Sequence, residues 1–503
     1  MAGQPHVRRE IAPAAGSSRD VKTLAAMPGR SGMLLTAVTL AAILVPFAVP
    51  LLRGLYPSTA DGILHLVRLI GLDHAVRNGL IWPRFLPALH YGYGSPIFNY
   101  CGPISLYPAL LLRWAGLSFA DAILGATVLW GAFGMLGAYR FGRTLQGQGA
   151  GFVLAAAFLY SAHLYLFGNF AQFAAAAFLP WLFWSLWRLA HRYRRRDFAL
   201  SVIFLAAPVV THNVTALITA GLAVLYMAFL VWHSDRRREA ALLLGAVFAG
   251  AVGVTAFLWL PALVEQPAVQ LERLAFFDFR NYFVSLSRLF SPGRETLHWP
   301  QLVLGAVAVW GAFSRPAGRT GRSALVVFLL VVLALLVFLM LPVSTPLWEA
   351  IPLMPYIEFP WRFLIPASLV LATLAALGAT WIAPQEGRAL WFALCIGAII
   401  AYNVPLLDLE YHDPQPQAAT VLDAHAIERT TGWLSGTSAG EYLPAWVGDR
   451  QDSWAFTERF AESEVFPRLA PAEGVAVRES AWGPVSGTVR VEAAAPTTLV
   501  FEW

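Results

Sequence analysis

Three ionisable side chains recur at helical spacing soon after the first apolar segment of the chain. Asp61, His65 and Arg68 occupy positions i, i+4 and i+7, so in a helix they lie on one face. A carboxylate in this row can act as a general base toward an acceptor hydroxyl, and Asp61 with His65 can hold a divalent metal ion. The alternative interpretation is the solvated polar face, or the N-cap, of a surface helix.

The residues between these three are mostly apolar and fall on the other faces of the same helix. They are Ile63, Leu66, Val67 and Ile70. The pattern therefore predicts an amphipathic helix lying on the outer surface of the membrane.

The same loop continues with a stretch rich in glycine, proline and aromatic residues. Arg84 lies in the sequence Trp-Pro-Arg-Phe, and Tyr93 and Tyr100 follow among glycines and prolines. This composition predicts irregular structure. Aromatic rings suit stacking on a sugar ring or an isoprenoid chain, so Arg84, Tyr93 and Tyr100 are candidates for substrate binding. The alternative is an aromatic belt that anchors the loop at the membrane interface.

A third candidate group precedes an apolar segment near the end of the hydrophobic region. Glu358, Trp361 and Arg362 lie within five residues of one another. A guanidinium group pairs well with phosphate oxygens, so Arg362 is a candidate for binding a lipid phosphate, with Glu358 and Trp361 beside it. The alternative is an arginine that reaches to the interface next to a belt tryptophan, with Glu358 as its partner.

Two short polar links leave a similar choice open. One contains His212 and Asn213, and the other contains Asn169 and Gln172. Polar groups at such depth seldom face lipid, so each pair is predicted either to line a cavity or to satisfy a helix end.

The composition requires these residues to be positioned by a membrane-embedded helical protein. Of the 503 residues, 58% are hydrophobic and 13% are charged. Soluble domains contain about 45–50% apolar and about 25% charged residues. A soluble protein, a disordered chain and a disulfide scaffold are thereby excluded. The predicted fold class is an all-α polytopic membrane protein.

Eleven apolar segments predict eleven transmembrane helices. They lie at about 33–52, 119–140, 149–167, 173–190, 198–212, 214–232, 240–262, 301–314, 324–342, 362–383 and 389–407. Arginine-rich links alternate with links that carry few basic residues, so the positive-inside rule places the N-terminus in the cytoplasm and the C-terminus outside the plasma membrane. The apolar stretch 103–117 is too short to span and is predicted to lie at the outer leaflet.

Three regions follow from this pattern. Residues 1–30 form a basic cytoplasmic tail, residues 31–407 form the membrane domain with its first external loop at 53–118, and residues 408–503 form a small extracytoplasmic domain. Alternation of apolar and polar residues near the C-terminus predicts strands in that domain.

Several classes of function lack their sequence signals. No P-loop, HExxH or CxxC motif is present, and acidic residues are almost absent from the apolar segments. The first absence argues against an ATP-driven pump and the last against an ion-coupled transporter. A net charge of +5 is ordinary for a membrane protein, so no nucleic-acid partner is expected.

Short motifs along most of the chain resemble one bacterial family of integral membrane proteins. They are Asp61-Gly-Ile-Leu-His65-Leu-Val-Arg68, Trp82-Pro-Arg84, the segment Tyr93 to Pro103, Phe359-Pro-Trp361-Arg362 and Thr437 to Pro444. The family is called "6-pyruvoyl-tetrahydropterin synthase-related". Its overall plan is similar to the GT-C glycosyltransferase fold, although no compact histidine cluster is present to hold the zinc of a soluble pterin synthase.

The resemblance implies a membrane glycosyltransferase. The donor would be a sugar linked to polyprenyl phosphate, and the acceptor would be a glycan, lipid or protein outside the cytoplasm. Asp61 matches the first-loop acidic residue, which implies a catalytic base or a metal ligand, and Arg362 would meet the lipid phosphate. His65 stands where a second carboxylate is common. The alternative is a non-enzymatic transporter, flippase or binder of lipid-linked glycans.

Overall fold

A computed structural model of the protein describes residues 30–161, 169–271, 277–293, 296–314, 321–412, 415–416, 418–433, 437, 440–445, 475–482 and 487–493. These residues form a helical bundle with one two-stranded sheet. The predicted cytoplasmic tail, apart from Arg30, and most of the region after 445 lie outside the described residues.

The apolar runs form helices because a segment that crosses a membrane must satisfy its backbone polar groups internally. The first nine are α1 (Arg30–Leu51), α2 (Gly62–Arg77), α3 (Ile97–Tyr100), α4 (Tyr107–Trp114), α5 (Phe119–Gln146), α6 (Gln148–Tyr160), α7 (Phe170–Ala176), α8 (Leu179–Arg192) and α9 (Arg195–Ala206). The next ten are α10 (Asn213–Trp232), α11 (Arg237–Val254), α12 (Ala256–Glu265), α13 (Leu286–Phe290), α14 (Trp299–Ser314), α15 (Gly321–Met340), α16 (Thr345–Ala350), α17 (Leu364–Trp381), α18 (Arg388–Asn403) and α19 (Val421–Thr431). Strands β1 (Val475–Trp482) and β2 (Gly487–Ala493) pair antiparallel.

Seven helical segments among the described residues are long and apolar enough to cross a membrane. They are Ser31–Leu51, Phe119–Gln146, Phe170–Arg192, Asn213–Trp232, Ser323–Met340, Pro360–Trp381 and Arg388–Leu407. The pair α11 and α12, bent by 59°, makes an eighth if it is one span. The prediction of an all-α multi-span membrane protein is confirmed.

The other three predicted spans are shorter helices in the described residues: α6, α9 and α14, with 13, 12 and 16 residues. The helix α6 runs back along α5. A Cβ atom at Gly142 would meet the Ala150 carbonyl oxygen at 2.7 Å, and one at Gly134 would meet the Phe158 ring at 3.0 Å. The missing side chains let the two helices approach closely, as small residues do in membrane bundles. The segment predicted at the outer leaflet contains the eight-residue α4.

The centre of the bundle is formed by α7 with α8 and by α17. About 89% of the residues of each of these two apolar segments are buried inside the protein. The helix α17 contacts α14 most intimately at Gly378, where a Cβ atom would lie 1.8 Å from the carbonyl oxygen of Leu304. These central helices carry polar residues at their starts, and that placement sets the site described below.

The helix α2 is not the surface helix that its spacing predicts. Eleven of its residues are buried, among them Leu64, Leu66, Leu69 and Leu72, which point in different directions around the helix axis. Other parts of the protein cover it on most sides, including α5 and the C-terminal helix α19. The prediction of an amphipathic surface helix was therefore wrong, because the apolar residues between Asp61 and Arg68 meet protein rather than lipid headgroups.

The segment after α18 packs onto the first loop. The Ser58 amide donates to Glu410 and the His412 amide donates to Tyr56, so the two backbones run side by side. Further along, Glu428 on α19 accepts a hydrogen bond from the His90 amide at 3.0 Å. The start of the predicted C-terminal domain, as far as 445, is thus part of the wall around the first loop, and the strands come after it.

Candidate functional site

A cluster of polar side chains forms at one end of the bundle, where four separate parts of the chain meet. Asp61 lies at the N-cap position of α2, but its side chain makes no capping bond. It interacts instead with the guanidinium groups of Arg68 and Arg362 and accepts a hydrogen bond from Asn169. Asn169 is held in place because its own side-chain oxygen accepts the Gln172 amide at the start of α7.

His65 lies deep in this cluster and is only 2% exposed. Its Nε2 atom accepts the backbone amide of Phe170 at 3.2 Å, which leaves the ring proton on Nδ1. Among the described residues Nδ1 has no hydrogen-bond partner. His65 therefore presents a buried N–H donor beside the side chain of Asn169, and a ligand oxygen could accept a hydrogen bond from it.

His212 joins the cluster from the link before α10. Its Nδ1 atom accepts the Thr215 amide at 3.2 Å and so caps that helix. The same ring interacts with Arg68 and Arg362. His212 therefore satisfies a helix end, which is one of its two predicted roles, and its ring belongs to the cluster.

Arg362 is buried and fixed by several contacts at the start of the segment that contains α17. Its Nη1 atom donates to Glu358 at 2.9 Å and to the Ile357 carbonyl oxygen at 2.7 Å. Its guanidinium lies 4.7 Å from the ring of Phe359 and 5.9 Å from that of Trp361. Its buried Nε atom has no partner among the described residues.

The turn that carries Glu358 is strained. Glu358 has φ = 62° and ψ = −49°, and the Phe359 amide donates to the Ile357 carbonyl oxygen at 2.7 Å across it. This is a γ-turn of the rare kind, which costs about 1–3 kcal/mol outside glycine. The turn persists because Arg362 binds both the carbonyl oxygen and the side chain of the turn.

Burial and neighbouring charges shift the titration of the cluster in a consistent way. Burial raises the pKa of Asp61, and Arg68, Arg362 and Asn169 oppose the rise. Burial also raises the pKa of Glu358, against the influence of Arg362.

Both histidines are held neutral. Burial lowers the pKa of His65 well below its ordinary value, and Arg68 and His212 lower it further. Burial, Arg362 and Arg68 likewise lower the pKa of His212. The site therefore combines a carboxylate with raised basicity, two cations and two neutral imidazoles.

An apolar cleft adjoins the cluster between α1, α5 and α7. His65 and Gly62 lie at its polar end, and its walls include Leu51, Leu124 and Phe173. Phe173 also lines a second, smaller cavity further along α5, beside Trp130 and Gly134. The two cavities are small and separate, and Phe173 borders both of them.

The remaining predicted residues divide into neighbours of the cluster and residues elsewhere. Tyr100 stacks on Tyr442 at 4.9 Å beside the cluster. Arg84 instead pairs with Glu265 at the end of α12, at 2.9 Å. Tyr93 contacts the ring of His90. The structure thus brings together Asp61, His65, Arg68, Glu358, Trp361 and Arg362, with Tyr100 at the edge, and it places Arg84 and Tyr93 in other contacts.

The cluster does not fit a divalent metal ion. The His65 atom that could ligate already accepts a backbone amide, and two guanidinium groups lie beside Asp61. The described residues contain no group of three or more metal-binding side chains. The balance of donors suits an anion, since cations and N–H groups converge here.

Glu441 was missed as a site residue, and the contributions of Asn169 and His212 were left undecided. All three are far from Asp61 in sequence. Through the fold, Asn169 reaches Asp61 itself, His212 reaches His65, and Glu441 reaches Glu358. Asn169 and His212 could have been assigned to the site from the sequence, because both lie in short links between apolar segments on the side of the membrane predicted for the first loop.

Two known proteins are similar to parts of this chain. A protein of Lactococcus lactis subsp. cremoris is 26% identical over 233 residues, which is 42% of this chain and 37% of that protein. The arabinofuranosyltransferase AftD from mycobacteria is 18% identical, with a TM-score of 0.49, over 76% of this chain and 28% of that chain. The chain thus spans well under half the length of either relative.

The model of one protein family, described as "6-pyruvoyl-tetrahydropterin synthase related domain; membrane protein", matches residues 98–408. Asp61 and Glu441 lie on either side of the matched range and complete the cluster from outside it. Because the match covers more than half of the chain, the protein belongs to the 6-pyruvoyl-tetrahydropterin synthase-related family of membrane proteins.

Proposed function

We propose that the protein is a membrane glycosyltransferase that moves a sugar from a polyprenyl-phosphate donor to an acceptor hydroxyl. The observation that carries this proposal is the position of the Asp61 carboxyl, which lies among Arg68, Arg362 and Asn169 next to an apolar cleft. A base, cations for a phosphate and a small apolar cleft are thus close together. The expectation from the motif resemblance agrees with this arrangement.

Asp61 acts as the general base. It accepts the proton of the acceptor hydroxyl as the oxygen forms a bond to the anomeric carbon of the sugar. The bond between that carbon and the phosphate oxygen breaks, and its electron pair leaves with the lipid phosphate. The raised pKa makes Asp61 a stronger base than an exposed aspartate.

Arg362 and His65 receive the leaving phosphate. The buried guanidinium retains an unused Nε–H and the imidazole retains an unused Nδ1–H, so two donors can meet the charge that develops on the phosphate. Because both side chains are fixed by the protein before the donor arrives, little reorganisation is needed. No step of this mechanism is assigned to a metal ion, because the residues present do not fit one.

The lipid chain of the donor lies in the apolar cleft that leads from His65 past Leu124 and Phe173. The cluster is formed at the starts of three segments: one begins at Phe170, one begins at Asn213, and one contains α17. The other end of each segment precedes a link that carries arginine. The positive-inside rule places those links in the cytoplasm, so we propose that the site faces outward from the plasma membrane.

The test is a transfer assay with the purified protein in phospholipid vesicles. Farnesyl-phosphate sugars carrying a labelled pentose or hexose are supplied as donors, with extracted envelope lipids and glycans as acceptors. Asp61→Asn is expected to abolish transfer and leave the folded fraction unchanged. The matched control is Asp235→Asn, an exposed aspartate in an arginine-rich link, which is expected to retain wild-type transfer.

The result that contradicts the proposal is transfer by Asp61→Asn at the wild-type rate. Binding of the donors by the wild-type protein without transfer to any acceptor in the panel would also contradict it, and would favour a non-enzymatic binder or flippase of lipid-linked glycans.

A further inference from the structure

The C-terminal segment that includes residues 440–445 is fixed against the wall of the site. Gly440 has φ = 71°, and the Leu443 amide donates to its carbonyl oxygen, which closes a turn. Gln270 donates to the Pro444 carbonyl oxygen at 2.7 Å, and the Ala445 amide donates to Ala268. The segment is therefore held to the chain just after α12 by several hydrogen bonds.

Tyr442 fixes the orientation of this segment over the cluster. Its ring stacks on Tyr100 with an interplanar angle of 3° and a centroid distance of 4.9 Å. Its hydroxyl group contacts the Cys101 sulfur at 3.3 Å. Two aromatic rings therefore lie beside the polar cluster, and the residue before Tyr442 is directed by this packing.

That residue is Glu441, which is 8% exposed. Its Oε2 atom is buried and has no hydrogen-bond partner among the described residues. Its charge acts on Glu358 and on Cys101, so it lies near the same cluster as Asp61. A buried carboxylate oxygen without a donor is costly, and a bound ligand can supply the missing hydrogen bond.

Two arginines near this segment already donate hydrogen bonds to other groups. Arg362 donates to Glu358 and to the Ile357 carbonyl oxygen, and Arg84 donates to Glu265 and Asn99. No described residue donates a hydrogen bond to the Oε2 atom of Glu441, so a bound ligand can supply the missing donor. Hydroxyl groups fit this requirement, because each can donate a hydrogen bond to a carboxylate oxygen.

We infer that Glu441 is a specificity-determining residue that accepts hydrogen bonds from the hydroxyl groups of the transferred sugar. This inference rests on the proposed function, because it places the sugar between Glu441 and Asp61. Glu441 takes no proton from the acceptor. It sets which sugar is held, and it does not contribute to binding of the lipid phosphate.

The test compares two probes in detergent micelles by equilibrium binding. One is farnesyl phosphate, which has no sugar, and the other is its pentose or hexose ester. Glu441→Gln is expected to weaken binding of the sugar ester about tenfold or more and to leave farnesyl phosphate unchanged. The matched control is Glu410→Gln, an exposed glutamate in the same segment, which is expected to change neither affinity.

A second variant, Glu441→Asp, keeps the charge but withdraws the carboxylate by one methylene group, and the same selective loss is expected. Equal loss of both probes in these variants would overturn the inference in favour of a structural role, and no loss of either would overturn it outright. If the wild-type protein binds neither probe, the proposed function itself fails.

Discussion

The buried pair of Arg362 and Glu358 gives the sharpest prediction about stability. Their side chains are 8% and 15% exposed and meet at 2.9 Å. Replacing one member of such a pair leaves the other charge buried without compensation, which costs about 3–5 kcal/mol. Arg362→Met should therefore lower the free energy of unfolding by about that amount.

The double variant Arg362→Met with Glu358→Gln distinguishes this reasoning from a simple loss of contacts. With both charges removed, the desolvation penalty of the lone carboxylate disappears, so the double variant should recover about 2 kcal/mol or more relative to Arg362→Met. Part of the cost remains, because the Ile357 carbonyl oxygen also loses the guanidinium that it accepts from. The assay is reversible unfolding in mixed micelles with a denaturing detergent, followed by tryptophan fluorescence.

The control is the surface pair of Arg280 and Glu349, whose side chains are about half exposed although they meet at 2.7 Å. Arg280→Met should leave stability nearly unchanged, because water and salt already screen an exposed pair. A loss of stability for Arg362→Met as small as that for Arg280→Met would contradict this prediction. Additive changes in the free energy of unfolding for the two substitutions at 358 and 362 would contradict it as well.

Two further predictions concern pH dependence and helix packing. Arg68 and Arg362 lower the pKa of Asp61 against the effect of burial, so Arg68→Gln should move the acidic limb of the kcat/KM profile for transfer to higher pH. A limb that stays in place, or moves to lower pH, would contradict the assignment of Asp61 as the base. Gly378→Ala should lower the free energy of unfolding by about 1–3 kcal/mol, because its Cβ atom would overlap the Leu304 carbonyl oxygen. The control is Gly397→Ala, which has open space around it and should not change stability. Equal thermal stability of the two variants would contradict the close packing of α14 and α17.

The helical organisation could be predicted from the sequence because the membrane restricts the alternatives. Apolar runs separated by arginine-rich links gave the helices, and each predicted segment is helical in the described residues. The length of the helices was less predictable. Whether α6 or α9 crosses the full bilayer depends on packing against neighbours, as with the glycine contacts between α5 and α6, and not on apolar composition alone.

Part of the site could be predicted because its residues carry distinctive chemistry in short motifs. Asp61, His65 and Arg362 were singled out by type and spacing, and the structure brings them together. The burial of α2 could not be predicted, since leucines that face protein and leucines that face lipid look alike in sequence.

The remaining members of the site depend on long-range packing. The γ-turn at Glu358 is adopted against the backbone preference of glutamate, because Arg362 binds the carbonyl oxygen of Ile357 in that turn. Glu441 reaches the cluster from a segment far from Asp61 in sequence, guided by the stacking of Tyr442 on Tyr100. Neither the γ-turn nor the position of Glu441 produces a periodic pattern in the sequence, so the spacing of residues does not predict them.

The most direct test of the central claim is an experimental structure of the protein in lipid nanodiscs with farnesyl phosphate bound. The account predicts the phosphate within hydrogen-bonding distance of Arg362 and His65, the Asp61 carboxyl on the side where a sugar would project, and the isoprenoid chain in the cleft lined by Leu124 and Phe173. A phosphate bound at the arginine-rich end of the bundle, or a cluster that stays empty while the lipid binds elsewhere, would contradict it.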